Sequence, residues 1–145
     1  MSAEAQPIPP HYAALAIQPA DFCHANNIGF LAGSAIKYIS RHRRKGGAED
    51  LHKALHFVQM LLAQDVGPLL KSRLGAQRLI GGMFAPARIL PSEYIAANSI
   101  APLEGVIILL LYSYEQRLDP AILTRAALDI RHLIRTEYPA ASTAS

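Results

Sequence analysis

Apolar residues recur along this chain at the spacings of three and four that place them on one side of a helix, and no stretch alternates regularly enough to defend as a strand. Residues 1–11 are polar and proline-bearing and read as an extended or disordered lead. Pro19 opens a short helix through about Ala25, with Asp21 near its positive end; Asn26, Asn27 and Gly29 then break it. From Phe30 to His42 the apolar residues Phe30, Leu31, Ile36 and Ile39, with small Ala32, Gly33 and Ala35, predict a helix packed closely on a neighbour. Gly46-Gly47 stops it, with Arg43 to Lys45 in its last turn. Ala48, Glu49 and Asp50 begin the next helix, which carries Leu51, Leu55, Val58 and Leu62 at helical spacing to about Gln64.

Between about 66 and 100 the chain is interrupted by Gly75, Gly81, Gly82, Pro86 and Pro91, and only a short helix around 69–79 is expected there. Pro102 starts a helix over 102–117 that is apolar on nearly all sides. Asp119-Pro120 is a cap followed by proline at the first helical position. The last helix runs to about Tyr138, turning Ile122, Ala126, Ile130, Leu133 and Ile134 inward and Arg125, Asp129, Arg131 and Arg135 mostly outward. The expected fold is all-α, a compact bundle of about five helices with an irregular middle segment. A flexible arm covers 1–17 and one helical domain covers 18–138. Within that domain 18–64 is the first core, 65–101 an irregular connection and 102–138 a C-terminal hairpin; 139–145 is a tail.

Composition narrows the classes. Of 145 residues 51% are apolar and only 17% charged, and mean hydropathy is +0.16. For a domain of this size that predicts apolar surface covered by self-association, hence a homo-oligomer. Cys23 is the single cysteine, which excludes an intrachain disulfide and any CxxC metal site. The first residues lack the basic and apolar regions of a signal peptide, and the greasiest run, 105–114, is too short to span a bilayer. A cytoplasmic protein with no membrane partner is expected. No GxxxxGK[ST] loop and no GxGxxG after a strand is present. His52 and His56 stand four apart, but the Lys53-Ala54-Leu55 between them disfavours a cation, so no metal site is predicted.

The charge is unevenly placed. The formal net charge is +3, yet Arg41, Arg43, Arg44 and Lys45 fall within five residues. Lys37, Arg41 and Arg44 lie on one helical stripe with Gly33, where a missing side chain leaves room for a ligand or another backbone. Like charges on one stripe repel, so solvent, the acids Glu49 and Asp50, or a bound anion must offset them. Arginine's planar fork suits phosphate. The alternative is a solvated face with those acids as ion-pair partners. Tyr38 reads equally as a packing or a stacking residue, and aromatic interleaving of the basic run is absent, which makes nucleic acid a weak partner.

These residues resemble a family of short phage proteins, the SaV-like or phage nucleotide kinase family. Its shared core is a phenylalanine, then Gly-Asn-Ala-Ile-Lys-Tyr-Ile, an arginine, a basic turn ending in lysine, and Glu-Asp-Leu-x-Lys-Ala before an aromatic. This chain has Phe30, Gly33-Ser34-Ala35-Ile36-Lys37-Tyr38-Ile39, Arg41, Lys45, Glu49-Asp50-Leu51, Lys53-Ala54 and Phe57, with Ser34 where the family has asparagine. The resemblance covers about residues 18–62. It implies a nucleotide-binding protein that forms homo-oligomers, and in one version a nucleoside monophosphate kinase without a P-loop, using ATP and Mg²⁺. The matching positions Lys37, Arg41, Lys45, Asp50 and Lys53 are then the ones that meet phosphates or a metal. Arg44, Gly33 and Ser34 complete the expected ligand-binding set, and Asp50 and Lys37 are the expected catalytic pair. Two alternatives stand beside the kinase: a non-catalytic protein that sequesters a nucleotide, and an oligomeric nucleic-acid-associated protein. On this reading Lys37→Ala or Arg41→Ala removes ligand binding and leaves thermal unfolding nearly unchanged.

Overall fold

The computed structural model describes residues 15–64 and 88–142. Among these residues every regular element is a helix: α1 (Pro19–Ala25), α2 (Phe30–Arg41), α3 (Ala48–Leu62), α4 (Pro91–Ala97), α5 (Pro102–Arg117), α6 (Pro120–Glu137) and a closing turn, α7 (Pro139–Ser142). The fold is all-α. Proline stands at the head of α1, α4, α5 and α6. There its missing N–H forfeits no helical hydrogen bond and its fixed φ is already helical. Asp119 caps α6 by accepting from the Ala121 N–H at 3.0 Å.

The helical hairpin α2–α3 packs along α6, which also carries α5, so that α2 meets both α3 and α5. The core between them is built of Phe22, Ile36, Ile39, Leu51, Ile107, Ile108, Leu111, Leu123, Ile130 and Leu133, all buried. Spacings of three and four residues bring these side chains onto the inward stripes of their helices. Gly33 lets α1 come close: a Cβ on it would stand 3.3 Å from the Cys23 Sγ. Its role is thus a helix–helix approach, not the opening of a ligand site, and Ser34 beside it is buried.

Four details depart from the expectations. The helix α4 falls inside the segment read as irregular; the signal was Pro91-Ser92-Glu93, a proline at the first position followed by an acid in the first turn. Tyr94 anchors it, stacked on Phe22 with ring centroids 4.5 Å apart and hydrogen-bonded to the Ser40 hydroxyl at 2.6 Å. Leu15 and Ile17, counted with the flexible arm, are held. Leu15 is buried, the Ile17 N–H donates to Asn98 Oδ1 at 2.9 Å, and Asn98 Nδ2 donates back to the Ile17 carbonyl at 2.8 Å. Asp129, placed outward from its spacing, is buried, because Arg125 one turn earlier reaches over it at 3.2 Å and satisfies the carboxylate. Finally, α5 is not uniformly apolar around its circumference: it buries Glu104 and Glu115 while leaving Val106 and Leu109 exposed. The short helix expected around 69–79, and the extended lead over 1–11, lie outside the described residues.

Candidate functional site

The turn joining α2 to α3 is tied by its own backbone. The Arg44 and Lys45 N–H groups donate to the Arg41 carbonyl at 2.9 and 3.1 Å, and the Gly47 N–H donates to the His42 carbonyl at 2.8 Å. Gly47 sits at φ 56°, ψ −134°, a conformation that strains any residue with a Cβ. A Cβ on Gly46 would collide with the Asp50 carboxylate. The two glycines are required by the turn itself.

What occupies the space beneath that turn is an ion pair. Arg41 Nε donates to Asp50 Oδ2 at 3.0 Å and Nη2 to Oδ1 at 3.1 Å. The Gly46 N–H adds a third bond to Oδ2 at 3.1 Å. Asp50 is 1% exposed and Arg41 8%. The expected catalytic carboxylate is therefore a structural one, locking the first turn of α3 to the last turn of α2. Arg41, expected to clamp phosphate, spends its fork on that carboxylate. Both positions are corrected for one reason: opposite charges nine residues apart close across a six-residue bend, out of water, where pairing is obligatory.

The middle of the basic run is neutralised from farther away. Arg43 donates to Glu104 of α5 at 2.7 Å and to Glu137 of α6 at 3.1 Å. His42 is buried and bonded on both ring nitrogens, Nε2 to Glu104 at 3.2 Å and Nδ1 to the Tyr138 hydroxyl at 2.9 Å. Burial alone would raise the Glu104 pKa; the hydrogen bonds from His42 and Arg43 overcome it and hold the group at about 2. An ionised Glu104 only accepts, so His42 Nε2 carries a proton. A cleft of about 130 Å³ opens beside this network between the end of α2 and the start of α5. Glu104, Glu137 and Tyr138 could not be found from sequence as partners of the basic run. Each looks like an ordinary helix-end residue, and only the packing of three helices brings them together.

Of the remaining expected residues, Lys37 and Lys53 gather on the outer face of the hairpin, while Arg44 lines the cleft between α2 and α5. Lys37 Nζ, Arg41 Cζ and Lys53 Nζ stand 4.5, 4.7 and 5.5 Å from the centroid of the Tyr38 ring. Tyr38 is stacked on Phe57 at 6.0 Å and 11°, and Phe57 meets Phe30 edge-on at 6.1 Å and 85°. Phe30 is 79% exposed. The basic stripe thus does have aromatic company, supplied in part by the facing helix. The stem of Lys37 carries its ammonium to a ring that, by helical angle, points elsewhere. Lys53 also pairs with Glu49 one turn earlier at 3.3 Å. Arg44 and Lys45, expected in the last turn of α2, lie exposed in the turn that follows it. At the other end of the aromatic row, beside Phe30, a hollow of about 170 Å³ is floored by Leu31, Leu61 and Leu118 and edged by Gln64 and Glu115.

Burial and then the charge of Glu115 push the Cys23 thiol up to about 11, so at neutral pH it is a packed thiol and not a nucleophile. Among the described residues no three His, Cys, Asp or Glu side chains assemble as a metal cluster. Among those residues, too, no helix is long and apolar enough to cross a membrane. No curated protein and no solved structure matches the chain. One family does match, over residues 7–59, and it is described as a protein of unknown function (DUF3310). The matched stretch contains α1, α2 and most of α3, and with them the aromatic row, the lysines and the Arg41–Asp50 lock.

Proposed function

We propose that this protein binds a nucleotide on the outer face of the α2–α3 hairpin, the ring system lying against the aromatic row and the phosphate held by Lys37 and Lys53. The observation that carries this reading is the row Phe30–Phe57–Tyr38 with ammonium groups over its last ring. An aromatic side chain as exposed as Phe30 is costly to keep in water, and stacking a base on such a ring contributes about 1–3 kcal/mol. Lysine ammoniums supply mobile point charges for phosphate. Arg44 and Lys45, exposed in the turn that follows α2, extend the positive field that draws the ligand in.

Binding without turnover is the version this geometry favours. Phosphoryl transfer asks for a carboxylate that orients the acceptor or a metal, and Asp50 is engaged by Arg41 and Gly46. The kinase reading, with ATP and Mg²⁺, would have to draw its carboxylate from another position such as Glu49. A cytoplasmic protein that holds a nucleotide, in the manner of a phage sequestering one from its host, fits the resemblance and the site together. Self-association belongs to the same reading: Val106, Leu109 and Leu128 are exposed on α5 and α6, where a second copy would cover them.

Calorimetric titration with nucleoside monophosphates and triphosphates, with and without Mg²⁺, tests this. Binding is expected, and it should weaken at least tenfold in Phe30→Ala and in Lys37→Ala with unfolding unchanged. Unaltered affinity in both variants would remove this face from the reading. Conversion of a deoxynucleoside monophosphate by ATP would restore the kinase.

A further inference from the structure

We infer that the aromatic row on the α2–α3 hairpin takes a single-stranded oligonucleotide, with successive bases on its rings and the strand's phosphates on Lys37 and Lys53. The inference rests on the nucleotide reading above and adds to it that the ligand carries more than one nucleotide.

The dimensions of the row carry it. Phe30 and Lys37 are seven residues apart on one face of α2, which is about 10 Å along the axis at about 1.5 Å per residue. Ring to ring, the same path is two steps, 6.1 Å from Phe30 to Phe57 and 6.0 Å from Phe57 to Tyr38. The ammonium groups of Lys37 and Lys53 stand at that last ring, 4.5 and 5.5 Å from its centroid. A base lying on Phe30 is joined to its own phosphate through one sugar, a link too short to reach the far ring. The phosphate that arrives there belongs to the next nucleotide of a strand, whose base then meets Phe57 or Tyr38.

The chemistry between the two ends disfavours a polyphosphate tail as the bridge. The face of an aromatic ring is the negative side of its quadrupole, so phosphates laid across Phe57 are repelled. A base laid on the same ring is attracted, and such stacking strengthens binding about 5- to 150-fold per base. His56, exposed and tilted against Phe57 at 6.0 Å and 62°, widens the platform. The absence of aromatic interleaving that made nucleic acid a weak partner in the sequence is made good by Phe57 from the facing helix.

The spacing also selects a single strand. Stacked bases repeat about every 3.4 Å along a strand, and in a duplex both faces of each base are covered by its neighbours. Rings 6.0 and 6.1 Å apart suit bases drawn out of a stack and splayed onto aromatic side chains. Charge agrees with this. Glu49 is the carboxylate that pairs with Lys53, at 3.3 Å and largely in water. Such an exposed pair is worth little, so Lys53 exchanges it readily for a phosphate.

The test is calorimetric titration of the full chain with dTMP, dTTP, the trinucleotides TpTpT and UpUpU, poly(dT) and the poly(dA)·poly(dT) duplex. TpTpT should bind at least tenfold tighter than dTMP or dTTP, and poly(dT) at least tenfold tighter per site than the duplex. UpUpU beside TpTpT tells an RNA strand from a DNA strand. The log–log salt slope for TpTpT should be about −1.4, at about −0.7 for each of two phosphates, and about −0.7 in Lys37→Ala. Phe57→Leu should shrink the advantage of TpTpT over dTMP at least fivefold. Equal affinities for dTMP and TpTpT would overturn the inference while leaving the nucleotide reading intact. So would dTTP as tight as TpTpT, or a duplex as tight as poly(dT); these comparisons need no variant to fold. No binding of any of them would remove both.

Discussion

Asp50→Asn is expected to damage the fold before it damages any ligand chemistry. In the wild type the Arg41 guanidinium, 8% exposed, faces the Asp50 carboxylate at 3.0 and 3.1 Å. Asparagine keeps an acceptor for the Gly46 N–H but removes the negative charge. Breaking one side of a buried pair costs about 3–5 kcal/mol, since the surviving charge stays out of water without its counter-charge. In a chain of this length each kcal/mol lowers Tm by roughly 3–4 °C, so a fall of about 9–20 °C is expected. Urea unfolding followed by circular dichroism would show the midpoint drop by about 1–3 M at unchanged slope. Replacing both partners with apolar residues of similar size, Arg41→Met with Asp50→Leu, should cost less than Asp50→Asn alone. A change below about 1 kcal/mol in Asp50→Asn, combined with loss of ligand turnover, would refute the reasoning and return Asp50 to a catalytic role. The same geometry reverses the sequence-based expectation for Arg41→Ala, which should now unfold at markedly lower temperature.

Gly47→Ala should destabilise by about 1–3 kcal/mol in the same urea titration, because φ 56°, ψ −134° strains a residue with a Cβ; a neutral result would mean the turn relaxes. Glu104 is held at about 2 against an ordinary 4.5, so its contribution is present above pH 4.5 and lost as pH falls toward 2. That loss is on the order of 3 kcal/mol, and Glu104→Gln should flatten this part of the stability–pH curve; an identical acid limb in the variant would refute the assignment. Light scattering should give a mass above the 15.8 kDa of one chain. Val106→Glu with Leu109→Glu, both on the exposed side of α5, should return it to a monomer; a wild-type monomer would remove the self-association.

Helix content, and where most helices begin and end, could be read from local signals. Prolines at first positions, glycines after α2 and the Asp119 cap before Pro120 act within a few residues, so their physics is carried by the chain itself. The inward stripes of α2, α3 and α6 were legible for the same reason, except that Phe30 and Leu62, counted with them, are exposed. The site was legible only as a region. Lys37, Tyr38 and Lys53 could be singled out, but whether a cation meets solvent, a ring or a carboxylate is settled by groups distant in sequence. Arg43 illustrates this, since its partners Glu104 and Glu137 lie 61 and 94 residues away. Asp50 does so in the opposite sense: its partner is close in sequence, yet only burial turns a helix-capping acid into one half of a lock. The hollow at Glu115 had no local signature at all, being the gap left where the ends of α2, α3 and α5 converge. Periodicity and caps are properties of a segment, whereas charge pairing and concavity are properties of packed surfaces, and those exist only once the helices have met.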